Sequence, residues 1–150
     1  MDGEGPTILL VEDEPNDVLL IERAFRKTGM RYPLRAVEDG ENALAYLLGE
    51  PPYDDREEYP FPAMVLLDLN LPKKSGLEIL EEIRGHENPD IREVPVIMLT
   101  SSKSGVNVDR ATDLGANFYL VKPVKFEEYL DMAKAINLYC TALNLKAGHE

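Results

Sequence analysis

The sequence predicts a doubly wound α/β sandwich of three layers around a five-stranded parallel sheet. Three observations predict it. Five short, nearly uninterrupted apolar runs recur along the chain, helix-periodic segments separate them, and four runs end on polar residues suited to chemistry. A run that is apolar at every position fits a strand covered on both faces, as in a parallel sheet flanked by helices. Regular alternation of strand and helix is the pattern of such an α/β fold.

The first predicted strand is Ile8-Leu9-Leu10-Val11. The helix after it places Val18, Leu19, Ile21, Ala24 and Phe25 at three- and four-residue steps and stops at Gly29. The second strand, Leu34-Arg35-Ala36-Val37, is weaker, and Ala43, Leu44, Leu47 and Leu48 mark a short helix. Residues 49–62 are rich in proline and acid and predict a long surface loop, free in solvent or touching a partner. The third strand is Met64-Val65-Leu66-Leu67, followed by a helix over Ser75 to Arg84 with Leu77, Leu80 and Ile83 on one stripe. The fourth strand is Val96-Ile97-Met98-Leu99, followed by a poorer helix from about Val106 to Leu114. The fifth strand is Phe118-Tyr119-Leu120-Val121. The last helix runs from about Lys125 to Leu145, with Tyr129, Met132, Ala133, Ile136 and Leu143 on its inner face.

A chain of 150 residues holds one domain, expected over 7–145, with flexible tails at 1–6 and 146–150. The net charge of −12 opposes binding to the anionic backbones of nucleic acids and suits a cation or a basic protein partner. No stretch approaches the roughly 20 apolar residues of a membrane span, and the N-terminus lacks the features of a secretion signal, so a cytoplasmic protein is expected. The single cysteine, Cys140, lies in an apolar helical stretch and is expected to be an inert thiol.

Glu12 and Asp13 follow the first strand, Asp68 the third, Thr100 the fourth and Lys122 the fifth. In a parallel sheet these strand ends share the edge at which doubly wound folds bind ligands. Three carboxylates in one crevice repel one another unless a cation joins them. A set of hard oxygen donors selects Mg²⁺ or a similar ion. Such an ion and the Lys122 ammonium would offer positive charge beside Asp68, where a phosphoryl group needs it. Carboxylates form aspartyl phosphates, so Asp68 is the natural nucleophile, and Thr100 can donate a hydrogen bond to the transferred group.

These residues resemble the bacterial response-regulator receiver domain over roughly Thr7 to Asn144. The resemblance rests on Val11-Glu12-Asp13, on Leu67-Asp68-Leu69-Asn70-Leu71-Pro72 with Ser75-Gly76, on Leu99-Thr100-Ser101, and on Lys122-Pro123. It implies a flavodoxin-like (βα)5 fold with strand order 2-1-3-4-5. It also implies a phosphoacceptor at Asp68 served by a sensor histidine kinase. By the same resemblance Asp13 holds Mg²⁺ directly, Glu12 through water, and Asn70 by its backbone carbonyl. Thr100 and Lys122 would grip the phosphoryl group, and Tyr119 would swing inward when Thr100 moves. The Lys122-Pro123 bond is expected to be cis. Glu14-Pro15-Asn16-Asp17, the long loop before the third strand, and Lys73-Lys74 add a likeness to the regulators that partner phytochromes. That group implies a phytochrome-type kinase and a homodimer through the fourth helix, fifth strand and fifth helix.

Each of these residues also has a plainer use. Asp68 could cap a turn, Lys122 could extend from a strand end into solvent, Thr100 could suit a strand end by its branching, and Tyr119 could belong to the core. Three other functions compete with signalling by phosphorylation, and the intact acid set argues against the first, a receiver that acts as a phosphorylation-independent binding module. A phosphohydrolase using an aspartyl phosphate needs a second acid two residues after the nucleophile, and Asn70 stands there. A flavin binder needs a Ser/Thr/Gly-rich phosphate loop after Val11, where Glu12-Asp13-Glu14-Pro15 stands instead. Only a short tail follows Leu145, so signalling by protein contact rather than by an output domain is expected.

Overall fold

A strand alternates its side chains between two faces, so runs that are apolar throughout call for two cores. The computed structural model, which describes residues 7–29, 32–101 and 105–146 (the backbone alone at 105–107 and 144–146), has both. The strands are β1 (Ile8–Val11), β2 (Leu34–Val37), β3 (Met64–Asp68), β4 (Val96–Thr100) and β5 (Phe118–Val121). The helices are α1 (Pro15–Lys27), α2 (Gly40–Leu48), α3 (Gly76–Arg84), the one-turn α4 (Pro89–Arg92), α5 (Gly105–Asp113) and α6 (Phe126–Lys146). The sheet is parallel throughout, in the order β2-β1-β3-β4-β5 that the resemblance implied. The predicted tail residues 1–6 and 147–150 lie outside the described residues, and Lys146 ends α6.

Ile8, Leu10, Met64, Leu66, Ile97 and Leu99 face α1 and α6, and pack with Ile21, Phe25, Tyr129, Ala133 and Ile136. Leu9, Val11, Val65, Leu67, Val96 and Met98 face the other way, onto Ala43, Leu47, Ile79, Leu80 and Ile83 of α2 and α3. Full burial of such a side chain contributes about 1.5 to 3 kcal/mol each, which explains why β1, β3 and β4 carry no polar position before their ends. Cys140 is buried in the first of these cores. Burial pushes its thiol up to about 11, which keeps it unreactive.

Local chemistry sets the helix ends. Asp39 caps α2 by accepting from the Asn42 N–H at 2.9 Å, and Gly49 ends it in the left-handed region at φ 72°. Ser75 and Glu78 close a reciprocal capping box at the start of α3. Helix α4 is an addition to the predicted elements. A single turn carries no periodicity to detect, and its only sequence signal is Asn88 capping before Pro89.

Four expectations need correction. Lys122-Pro123 is trans, and the cis bond among the described residues is Pro51-Pro52. The two isomers of an X-Pro bond differ by only about 0.5 to 1 kcal/mol in a free chain, so surroundings rather than sequence choose between them. On α2, Leu48 is exposed and Tyr46 is buried in its stead. On α3, Ile79 takes the buried place expected of Leu77, which only packs against the core's margin. Residues 49–62 form a loop, as expected, but a fastened one. The rings of Tyr46, Tyr53 and Tyr59 meet at centroid distances of 5.3 to 5.9 Å. Arg56 donates to the Leu47 and Tyr59 carbonyls at 2.9 Å, and the Tyr46 hydroxyl donates to the Pro60 carbonyl at 3.0 Å.

Candidate functional site

All the predicted site residues except Tyr119 gather at the C-terminal edge of the sheet. Glu12 and Asp13 continue β1, and the Glu12 N–H still bonds to the Val37 carbonyl of β2 at 3.0 Å. Asp68 is the last residue of β3, and Thr100 the last of β4. Both are buried, as is Glu12, while Asp13 and Asn70 are exposed. Lys122 follows β5 immediately, and its N–H bonds to the Thr100 carbonyl at 2.7 Å.

The chain turns sharply after Asp68 and returns into α3. Gly76 makes this possible, because a Cβ there would overlap the Asp68 carbonyl oxygen and lie 2.9 Å from Leu69 Cα. Its N–H closes the turn on the Leu69 carbonyl at 2.8 Å. The Leu69 N–H bonds to the Leu99 carbonyl at 2.8 Å, and the Asn70 N–H donates to Asp68 Oδ1 at 3.1 Å. Asp68 is thereby held at one oxygen while Oδ2 faces Lys122.

The Lys122 ammonium is the hub. It lies 2.6 Å from Glu12 Oε1, 2.9 Å from Asp17 Oδ2 and 3.1 Å from Asp68 Oδ2. The last two are hydrogen bonds, whereas the buried Glu12 Oε1 has a charge beside it but no hydrogen bond. Glu12 Oε2 accepts from the Glu14 N–H at 3.1 Å. Burial is the main cause that pushes Glu12 up to about 7; Lys122 opposes the shift and Asp68 adds to it. For Lys122, burial works downward, but Glu12, Asp17 and Asp68 outweigh it and the ammonium is held above its ordinary value.

Carboxylate oxygens of Glu12, Asp13 and Asp68 come within 4.8 Å of one another. With Asp17 they set four acids against one ammonium. The buried oxygen of Glu12 without a hydrogen bond and the all-oxygen donor set both fit a hard divalent cation, which would offset the surplus charge. The crevice is a divalent-cation seat.

Residues 8–134 match the family model described as the response regulator receiver domain. The chain belongs to that family. This receiver domain is 36% identical over 132 residues to the response regulator Rcp1 of Synechocystis sp., covering 88% of this chain and 86% of Rcp1. It is 37% identical over 149 residues to the probable methanogenesis regulatory protein FilR2 of Methanothrix harundinacea, covering 99% and 92%. The phosphorylated cyanobacterial phytochrome response regulator RcpA superposes on it with a TM-score of 0.80 at 33% identity, over 91% of this chain and 94% of RcpA. The Mn²⁺-bound form of Rcp1 superposes with a TM-score of 0.74 at 36% identity, over 88% and 91%. The receiver domain thus shares the fold of these relatives, with its acid cluster at the C-terminal edge of the sheet.

Tyr119 stands apart from the cluster. It pairs with Met98 two register steps before Thr100 pairs with Val121, so Tyr119 and Thr100 point to the same face of the sheet. It belongs to neither core and is partly exposed, which leaves the plain-core alternative without support. The residue that sequence reasoning missed is Asp17. An acid in the first turn of a helix is ordinary, since the helix dipole favours it, and nothing in its spacing marks it as a partner of Lys122.

Proposed function

We propose that this receiver domain accepts a phosphoryl group on Asp68 from a sensor histidine kinase of the phytochrome type, with Mg²⁺ bound. The observation that carries the reading is Asp68 itself, a buried carboxylate with Lys122 Nζ 3.1 Å away and two further acids within cation-bridging distance. Glu12, Asp13, Asp68 and the Asn70 backbone carbonyl would hold the ion. When bound, Mg²⁺ would neutralise acid charge and the charge of the incoming phosphoryl oxygens. An Asp68 oxygen attacks phosphorus, the P–N bond to the kinase histidine breaks, and the imidazole leaves with its electron pair. Lys122 and Thr100 bind phosphoryl oxygens. Water later hydrolyses the acyl phosphate, restoring the carboxylate and releasing phosphate. Asn70 offers no carboxyl to assist that water, so slow self-dephosphorylation is favoured over a turnover phosphohydrolase.

Movement of Thr100 toward the phosphoryl group would open space on the face it shares with Tyr119, and Tyr119 would turn inward. The change would be read on α5, β5 and α6. Phe118 is 52% exposed and stacks on Tyr139 of α6, where Leu138 is 70% exposed. Exposed apolar side chains of this size support a protein contact there, including a homodimer. The net charge of −12 disfavours nucleic acid as the partner. No helix among the described residues is long and apolar enough to cross a membrane. Likeness to Rcp1 and RcpA supports the phytochrome-type donor.

The test is intact-mass analysis after incubation with acetyl phosphate. One phosphoryl group should be gained with Mg²⁺, none with chelator, and none in Asp68→Asn. Undiminished uptake in that variant would overturn the assignment.

A further inference from the structure

We propose that Asp17 is a positioning residue for Lys122, holding the ammonium on the α1 side of the crevice and competing for it with the incoming phosphoryl group. The inference rests on Asp68 as the phosphoacceptor. An ammonium has three N–H groups and no acceptor. Lys122 already faces three carboxylates, at 2.6, 2.9 and 3.1 Å. Hydrogen bonds to Asp17 and Asp68 and the charge of Glu12 already hold the ammonium, so gripping a phosphoryl oxygen comes at the expense of one of these three contacts.

Exposure decides which one. The Glu12 and Asp68 side chains are 0% and 3% exposed, so neither can exchange the ammonium for water, and only the bound cation would take its place beside them. The Asp17 side chain is 26% exposed, and it stands in the first turn of α1, where the helix N-terminus favours its charge without Lys122. Asp17 can thus release the ammonium to solvent at small cost, and, lying outside the cation's ligand set, it is the acid that still holds the ammonium once the cation is bound. Lys122 itself is only 12% exposed, so its release toward the phosphoryl group is a short swing inside the crevice rather than an excursion into water. After the swing, the Asp17 carboxylate remains beside a newly arrived anion and repels it. Both effects make loading harder, and both vanish when Asp17 is neutral.

Asp17→Asn should therefore lower the half-saturating concentration of acetyl phosphate about fivefold in excess Mg²⁺, the scale of one partly exposed ion pair. The limiting rate at saturating donor should change less than the half-saturating concentration does. Glu22→Gln, which removes the same charge further along α1, should leave both values unchanged, and Asp17→Glu should restore the native half-saturation. A purely structural role would shift unfolding without this split. An unchanged or raised half-saturating concentration in Asp17→Asn overturns the inference. In the native chain, beryllofluoride with Mg²⁺ should shift the ¹³C resonance of the Asp17 carboxyl as it loses the ammonium, and a stationary resonance overturns it independently. Failure of the parent reading looks different: the native chain itself would then take up no phosphoryl group.

Discussion

Lowering the pH from 8 to 6 should weaken divalent-cation binding about tenfold. Glu12 is the cause, because burial beside Asp68 pushes it up to about 7. Such a group is about nine-tenths ionised at pH 8 and about one-tenth ionised at pH 6. Only the carboxylate can hold a cation, so apparent affinity follows that ratio. An ordinary exposed carboxylate would stay ionised across the window and give no change. The same shift has a consequence for stability without metal. A folded-state value raised from 4.5 to about 7 means that the native state binds more protons than the unfolded chain between those limits. Stability therefore falls as pH rises through that window, by about 3 kcal/mol at the most, and a bound cation reverses the loss. Calorimetric titration with Mg²⁺ at pH 6, 7 and 8 measures the first effect. Urea unfolding of the native chain against Glu12→Gln, which cannot titrate there, isolates the second. Cation affinity flat from pH 8 to pH 6, or a native chain that gains on Glu12→Gln as pH rises, would refute the reasoning.

Other perturbations reach the scaffold around the site. Arg84 donates to the carbonyls of Gly115, Arg92 and Val94 and to Asn117 Oδ1, at 2.7 to 2.9 Å, tying α3 to the turn before β5. Arg84→Met should cost roughly 2 to 4 kcal/mol in urea unfolding, and a loss below about 1 kcal/mol would show that water replaces those bonds freely. Gly76→Ala should cost about 1 to 3 kcal/mol and slow phosphoryl uptake, because the added methyl displaces the Asp68 backbone; native kinetics in a stably folded variant would count against that coupling. Leu66→Ala, in the core beneath α1 and α6, should cost about 2 to 5 kcal/mol while leaving Mg²⁺ affinity unchanged. Tyr59→Ala should speed proteolytic cleavage within 49–62 without changing the helix signal in circular dichroism, and an unchanged cleavage rate would mean the aromatic cluster does not fasten the loop.

The central strands were legible because burial on both faces leaves a mark at every position: Ile8–Val11 is buried throughout and begins and ends where its apolar run does, whereas Phe118–Val121 keeps the bounds of its run although Phe118 and Tyr119 are exposed. The acids, Thr100 and Lys122 were legible for a related reason, since a parallel sheet delivers residues that follow its strands to one edge. What stayed hidden depended on contacts between distant segments. Tyr46 lies under the 49–62 loop only because Tyr53, Tyr59 and Arg56 meet it from that loop. The Lys122-Pro123 isomer was not written in the dipeptide. Asp17 is 105 positions from Lys122, and only the fold shows that they touch.

The most direct test of the central claim is chemical trapping of the acyl phosphate. The chain is loaded by a phosphohistidine donor with Mg²⁺, reduced with borohydride, and mapped by peptide mass spectrometry. Conversion of aspartate to homoserine should occur at position 68 and should disappear when the divalent cation is removed. Reduction at another acid of the cluster, or undiminished conversion in chelator, would contradict it.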